Sequence, residues 1–438
     1  MSESNLRPLF GFIEASPSPY HGAERAGELL AAAGHAPVDP TAGWAGTGPQ
    51  VMVRGGTLVA TTAASGADGI DPARLAFRIV GAHTDSPNLR IRPRPDTGAV
   101  GYRQLAVEPY GGVLLNSWLD RDLGVSGRVV VRGGDGTTTT HLVKVDRPLL
   151  RVPQLAIHLD RDVNRGLVLD PQQHLTPAWG LGSTGEGDFA AFLAAELDAD
   201  PADVVAWEMM THDLTPPTLL GRDDEFYAAG RIDNLASCFA ATEAMASLGG
   251  SGTGSDAAAG AAHTVAVVVL FDHEEVGSAS ATGAAGPLLA HCLESVALAA
   301  GADRAQFLAA LARSCCVSAD GAHAVHPNYP ERHEPGHLVE LNGGPAVKLN
   351  SGQRYATDAN TSAVFQQACR DAGVEFQLYS HRADLPCGST IGPATAAGLG
   401  VDVVDVGSPQ LSMHSARELG GSADPPMLTA ALRQFLLG

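Results

Sequence analysis

The sequence predicts an α/β domain with a largely parallel central sheet flanked by helices, interrupted by a β-rich unit. Three observations carry this prediction. Strand-like and helix-like segments alternate through the second half of the chain, the pattern of parallel strands joined by helical crossovers. The run TVAVVVLF, 264–271, is almost unbroken in apolar character, as a buried strand should be. Between about 94 and 224 the alternation stops, and short β-like runs follow one another, separated by Gly, Asp and Pro. The chain therefore divides into 1–93, an inserted unit 94–224, and 225–438.

Taken in order, LRPLFGFIEASPSPYHGAERAGELLAAAG predicts a helix, a Ser/Pro turn and a second helix closed by Gly34. LAFRIVGAHTDSP predicts a short strand whose end carries His83 and Asp85. Within the insertion, GYRQLAVEPYGGVLLNSWL, GRVVVRGG, HLVKVDRPLL and QLAIHLD all have β-like texture. GRIDNLASCFAATEAMASLGG predicts a helix with Asp233 and Asn234 in its first turn and a glycine pair at its end. The low-complexity stretch 249–262, GGSGTGSDAAAGAA, predicts a mobile surface loop. Beyond it, AVVVLF, LLAHCLESVALAA, SCCVSAD, FQQACRDAG, VEFQLYS, VDVVDVG and MLTAALRQFLL alternate strand and helix to the end.

Composition narrows the class. At 438 residues and 45% hydrophobic content the chain can bury a large core. A net charge of −20 argues against nucleic acid and anionic membrane as partners, since both reward Lys and Arg. No apolar run reaches the roughly 18–20 residues that span a bilayer, and MSESNLRPLFGF does not read as a secretory signal. Six cysteines without a CxxC pair suggest reduced thiols, hence cytoplasm. GLGSTG, Gly180–Gly185, matches the dinucleotide fingerprint GxGxxG, but QHLTPAW with Pro177 stands where a strand is required, so it is set aside. Cys387 in LPCGST reads as a buried structural thiol, and most of His323, His326, His333 and His337 as surface or hydrogen-bonded residues.

Functional groups in open α/β sheets gather at the carboxyl ends of the strands. Here those ends deliver His83 and Asp85, then Glu274 and Glu275, then Asp320 and His414, while Asp233 opens a helix. Two histidines and several carboxylates on one rim are the ligand set of a two-metal hydrolytic site. Asp233, short and held at a helix start, suits a bridging role. His83 and Asp320 could complete one metal, Glu275 and His414 the other. Asp85 could accept the second ring N–H of His83 and fix its tautomer. Glu274 is then left as general base toward a metal-activated water.

The segments GAHTDSPNLRIRP, YGGVLLNSWLDRDLGVSGRV, PQLAIHLDRDVN, GRIDNLASC, DHEEVGS, SADGAHAVHPNYPERHEP, GGPAVKLNSGQRYAT, PCGSTIGP and GSPQLSMHSARE run in order over nearly the whole chain. Together they closely resemble the aspartyl aminopeptidase family of dizinc exopeptidases. The resemblance implies a catalytic domain interrupted by a β-rich dimerisation domain, homo-oligomers in the form of tetrahedral dodecamers, and two Zn2+ per subunit, with Co2+ or Mn2+ as substitutes. It implies release of an unblocked N-terminal Asp or Glu from peptides. Its metal ligands fall on His83, Asp233, Glu275, Asp320 and His414, its base on Glu274 and its HxD acid on Asp85. Asn116 stands in LLNSWLDRDL, where many members carry a histidine that reaches a neighbouring subunit; asparagine can donate a hydrogen bond but carries no charge.

Lys348 stands out because only two of the 28 cationic residues are lysine. One reading is a chance surface lysine; the other is a narrow pocket that needs a compact ammonium, where a planar guanidinium would not fit. The resemblance places Lys348 in the segment that contacts the substrate carboxylate, with Tyr355 and His323 nearby. The alternatives are a dizinc hydrolase for neutral N-terminal residues and a non-catalytic assembly protein, the latter at odds with a competent residue at every site position.

Overall fold

The strand Thr264–Phe271 shows how the sequence builds the central layer. Val265, Val267, Val269 and Phe271 enter one apolar core, while Ala266, Val268 and Leu270 enter another on the opposite face. Successive strand residues point to opposite sides, so a strand apolar on both must be covered on both. The computed structural model, which describes residues 3–63, 69–249 and 261–438, shows how that covering is arranged. Except at its ends, the Gly/Ser/Ala stretch 249–262 lies outside the described residues.

Nine strands form the central sheet, in the order Ala36–Pro37, Gln50–Arg54, Thr57–Ala63, Thr264–Phe271, Ala76–His83, Cys315–Ala319, Asp402–Gly407, Ala346–Leu349 and Gln377–Ser380. The four strands from Thr264–Phe271 to Asp402–Gly407 run parallel. Antiparallel pairing enters on both flanks, where Thr57–Ala63 meets Thr264–Phe271 and Ala346–Leu349 meets Asp402–Gly407. Residues of the helices Glu3–Ala15, Pro19–Ala32, Ile232–Gly249, Ala359–Ala372 and Asp424–Leu437 fill one core. Those of Leu288–Ala299, Arg304–Ala312 and Ile391–Leu399 fill the other. No helix among the described residues is long and apolar enough to cross a membrane.

A second, six-stranded antiparallel sheet takes the order Thr138–Leu150, Leu123–Arg132, Val204–Asp213, Asn88–Ala99, Tyr102–Tyr110 and Ala178–Leu181. Its strands thus begin at Asn88 and end at Asp213. Leu89, Leu105, Val125, Val129 and Met209 form its core with Phe189 and Leu193 from the helix Asp188–Glu196. Two details differ from expectation. QLAIHLD is not a strand; it lies in a loop that leaves Leu155, Ile157 and Leu159 exposed, since no described residue covers them. A strand does lead into Gly180–Gly185, but it is the antiparallel edge Ala178–Leu181, so no parallel strand–turn–helix unit for a dinucleotide exists there.

A third sheet was not anticipated. It joins Thr218–Leu220, Phe226–Ala229, Glu418–Gly421, Pro409–Leu411 and Ala322–His323. These strands are two to four residues long, too short for a period-two pattern to register. The sheet carries the chain from Asp320 and Asp402–Gly407 toward His414.

Candidate metal centre

His83 is the last residue of Ala76–His83, and Phe271 lies opposite it on the neighbouring strand. Glu274 and Glu275 occupy a single 3-10 turn, Glu274–Val276, just beyond that strand. Asp320 follows Cys315–Ala319, and His414 follows Pro409–Leu411. Asp233 sits where the chain enters Ile232–Gly249, but neither Asp233 (φ −80, ψ 106) nor Asn234 (φ −124, ψ 28) has the helical backbone predicted for it. Hydrogen bonds to distant parts of the chain account for the difference. The N–H of Asp233 donates to Glu418 Oε2 at 3.0 Å, and Asn234 Nδ2 donates to the Ala319 carbonyl at 2.9 Å.

This turn sets the Asp233 carboxylate between two imidazoles. His83 Nε2 lies 3.3 Å from Asp233 Oδ1 and 3.4 Å from Asp320 Oδ1. His414 Nε2 lies 3.3 Å from Asp233 Oδ2 and 3.5 Å from Glu275 Oε2. Asp233 thus belongs to two groups, His83–Asp233–Asp320 and Asp233–Glu275–His414, each with its ligand atoms within 4.8 Å of one another. His83, Glu274 and Glu275 make a third, overlapping group.

The tautomers follow from the outer partners. His83 Nδ1 is 3.0 Å from the main-chain oxygen of Asp85, and His414 Nδ1 is 3.0 Å from that of Gly112. A carbonyl only accepts, so each Nδ1 carries a proton, and a neutral ring turns its Nε2 lone pair toward carboxylate oxygens. A lone pair facing anions repels them unless a cation, a proton or a metal ion, lies between them. Asp233 Oδ1 and Glu275 Oε1 are moreover buried without a hydrogen-bond partner. Imidazole nitrogens with carboxylate oxygens are suitable zinc donors. The residues fit two divalent cations that share Asp233.

The electrostatics agree. Burial pushes the Glu274 carboxyl up to about 8, with Asp320, Asp85 and Asp233 adding to the rise against His83. Burial and Asp233 likewise hold Glu275 well above the usual carboxylate range. Burial opposes a charge on His83, yet the nearby carboxylates of Asp233, Asp320 and Asp85 outweigh it and raise the imidazole well above its ordinary value. The cluster holds more negative charge than its own residues can balance, and a bound cation reverses that imbalance.

Asp85 is fully buried and plays a wider part than expected. Its carboxylate stands 3.4 Å from His83 Nδ1, the ring proton going to its main-chain oxygen. The carboxylate instead accepts the N–H of Glu274 at 3.0 Å on Oδ1, and the N–H of Glu275 at 3.1 Å and the Tyr110 hydroxyl at 2.8 Å on Oδ2. These bonds set the turn that separates the two glutamates.

Lys348, Tyr355 and His323 come together beside this cluster. Lys348, on Ala346–Leu349, is only 2% exposed. Its ammonium donates to the Gly321 carbonyl at 3.0 Å, stands 3.9 Å from Asp320 Oδ2 and lies 5.1 Å from the centre of the Tyr355 ring. Tyr379 packs edge-on to both Tyr355 and His323. Asn116 is exposed on the turn Leu115–Trp118, and Cys387 is half-buried rather than buried because it lies on a surface loop.

Sequence reasoning missed Glu418 and the Tyr110–Gly112 corner. Glu418 is buried, and its Oε1 accepts the His414 N–H at 2.8 Å while Oε2 holds Asp233, so one carboxylate fixes the backbone of two site residues. An acid four residues past His414 in a short strand was the available signal. Gly111 adopts φ +74, and a Cβ on Gly112 would stand 3.0 Å from His414 Nδ1. Glycine is required where the backbone approaches the ring this closely.

Comparison with known proteins agrees with this geometry. A family model described as Aminopeptidase I zinc metalloprotease (M18) matches residues 12–436. A probable M18 family aminopeptidase 2 of Streptomyces coelicolor is 51% identical over 431 residues, covering 98% of this chain and 96% of that protein. A chain in a cryo-EM structure of the Ape4 and Nbr1 complex superposes with a TM-score of 0.92 at 33% identity, over 99% of this chain and 86% of that one. The S. cerevisiae mApe1 dodecamer gives 0.84 at 25% identity, over 99% and 96%. The chain belongs to the M18 family of zinc metalloproteases and is a metallo-aminopeptidase.

Proposed function

We propose that the protein removes an unblocked N-terminal Asp or Glu from peptides, using two zinc ions, which Co2+ or Mn2+ could replace. His83, Asp233 and Asp320 would hold one ion; Asp233, Glu275 and His414 the other. When bound, such ions supply positive charge that acidifies water and polarises a carbonyl. Glu274 lies in the cluster yet is outside these two sets, so its carboxylate is free to take the proton of the attacking water and pass it to the leaving amine. Asp85 holds the turn that aims it.

The observation that carries the acidic preference is the buried Lys348 ammonium beside Tyr355 and Asp320. A substrate carboxylate there would gain a charged hydrogen bond shielded from water, worth about 1.5–3 kcal/mol. Lys348→Ala should therefore lower kcat/KM on N-terminal Asp and Glu peptides about tenfold to a hundredfold and spare residual activity on neutral ones. Equal losses on both classes would make Lys348 structural and leave the acidic preference without support.

Assembly belongs to the same reading. The insertion, 94–224, would supply subunit contacts of a homo-oligomer, a dodecamer by analogy with the yeast relative. Exposed Leu155, Ile157, Leu159 and Val168 on one of its loops favour this, since adjacent uncovered apolar side chains mark interaction surfaces. Six free cysteines, five of them buried, fit a reducing compartment such as the cytoplasm.

A further inference from the structure

His323 borders the Lys348 pocket on one side and a second cavity on the other. His323, His326, His333 and His381, with Arg332 and Arg382, line a cavity of about 230 Å³. Its wall also includes Met413, next in the chain to His414, and His323 is three residues past Asp320. The charges of Asp233 and His414 act on His323, so the cavity lies beside the metal cluster.

The lining is rich in donors. Burial, with Lys348 and His381 adding to it, pushes His323 down to about 4, and burial with His326 lowers His333, whose Nε2 accepts the His326 N–H at 3.1 Å and leaves Nδ1 as the donor. The Tyr379 hydroxyl stands 2.6 Å from His381 Nδ1. With that hydroxyl donating, His381 Nε2 carries the ring N–H, and this nitrogen is buried without a partner. Arg382 is held by Asp384 at 2.6 Å, whereas Arg332 makes no ion pair among the described residues. Glu334 is the one carboxylate in the lining, and His337 already pairs with it. In a chain of net charge −20, this is a local surplus of cationic and donor groups.

We propose that this cavity is a subsite for the second residue of the peptide and favours a carboxylate side chain there. The inference rests on the reading in which Lys348 takes the side chain of the first residue. The second residue must then leave the cluster along another wall. The cavity beside His323 and Met413 has room for a side chain, an unpartnered N–H and an uncommitted guanidinium. An anionic side chain can use all three, where an amide uses only the donors.

The test compares kcat/KM for Asp-Glu-Leu, Asp-Gln-Leu, Asp-Ala-Leu and Ala-Ala-Leu on the zinc-loaded protein. Asp-Glu-Leu should exceed Asp-Ala-Leu about tenfold, with Asp-Gln-Leu between them, and the advantage should shrink with salt. His381→Phe should collapse the ratio of Asp-Glu-Leu to Asp-Ala-Leu toward one. Arg332→Ser, at an exposed position, should reduce the same ratio and its salt dependence. A ratio in the wild-type protein near one, or one that neither substitution alters, overturns the proposal. If Asp-Ala-Leu is no better than Ala-Ala-Leu, the first-residue reading fails instead; the ratio of Ala-Glu-Leu to Ala-Ala-Leu then decides the second-residue subsite separately.

Discussion

Asp85→Asn removes one negative charge and one acceptor oxygen, and the structure sets the size of the effect. The native carboxylate accepts three hydrogen bonds, from the Glu274 and Glu275 N–H groups and from Tyr110, in a site with no solvent. An asparagine that keeps its oxygen toward Glu275 and Tyr110 must turn its NH2 toward the Glu274 N–H. Two donors then face each other, and a buried donor left unsatisfied costs about 1–3 kcal/mol. The turn that carries Glu275, the proposed ligand, and Glu274, the proposed base, loosens. At about 1.4 kcal/mol per tenfold, zinc affinity should fall roughly tenfold to a hundredfold, the usual loss when a group supporting a metal ligand is replaced. Competition for zinc against a chromogenic chelator reads the affinity, and kcat on an N-terminal Asp peptide reads the displaced base. Unchanged zinc affinity together with unchanged kcat would refute the claim that Asp85 organises the centre.

Glu274→Gln should keep both metals yet lower kcat by about 10²–10⁴, and metal-free or fully active variant protein would contradict its role as base. Burial and Asp233 hold Glu275 high, and burial of His414 is outweighed by the Asp233 and Glu275 carboxylates, which raise it to about 10. Protein stripped of metal thus holds protons on Glu275 and His414 at pH 7 that coordination must expel, so zinc affinity should already be falling as pH drops below about 10. Calorimetry in two buffers of different ionisation enthalpy measures the released protons; no release would contradict the assignment. Light scattering should show a particle far heavier than the 45.0 kDa chain, and charged substitutions at Leu155 and Leu159 should break it down; a fully active monomer would contradict the assembly reading.

The parallel core and the site were legible for one physical reason. Strands buried on both faces appear as unbroken apolar runs, and the polar residues that end them stand at the functional rim, as Phe271 followed by Glu274 and Glu275 illustrates. What escaped notice depends on tertiary partners. The extended entry at Asp233 exists because Glu418 accepts its N–H, and no helix-start signal encodes a partner 185 residues away. Glu418 itself looks like an ordinary charged residue on a short strand, and only its burial beneath Asp233 and His414 reveals its task. QLAIHLD has strand-like texture but remains a loop, because its apolar side chains find no cover among the described residues.

The most direct test of the central claim, two ions sharing Asp233, is a zinc titration of metal-stripped protein that follows hydrolysis of an N-terminal Asp peptide. The account predicts that activity requires two zinc ions per chain, and that Glu275→Ala retains one ion and loses activity. Full activity at a single equivalent, or an unaltered two-ion titration in Glu275→Ala, would contradict it.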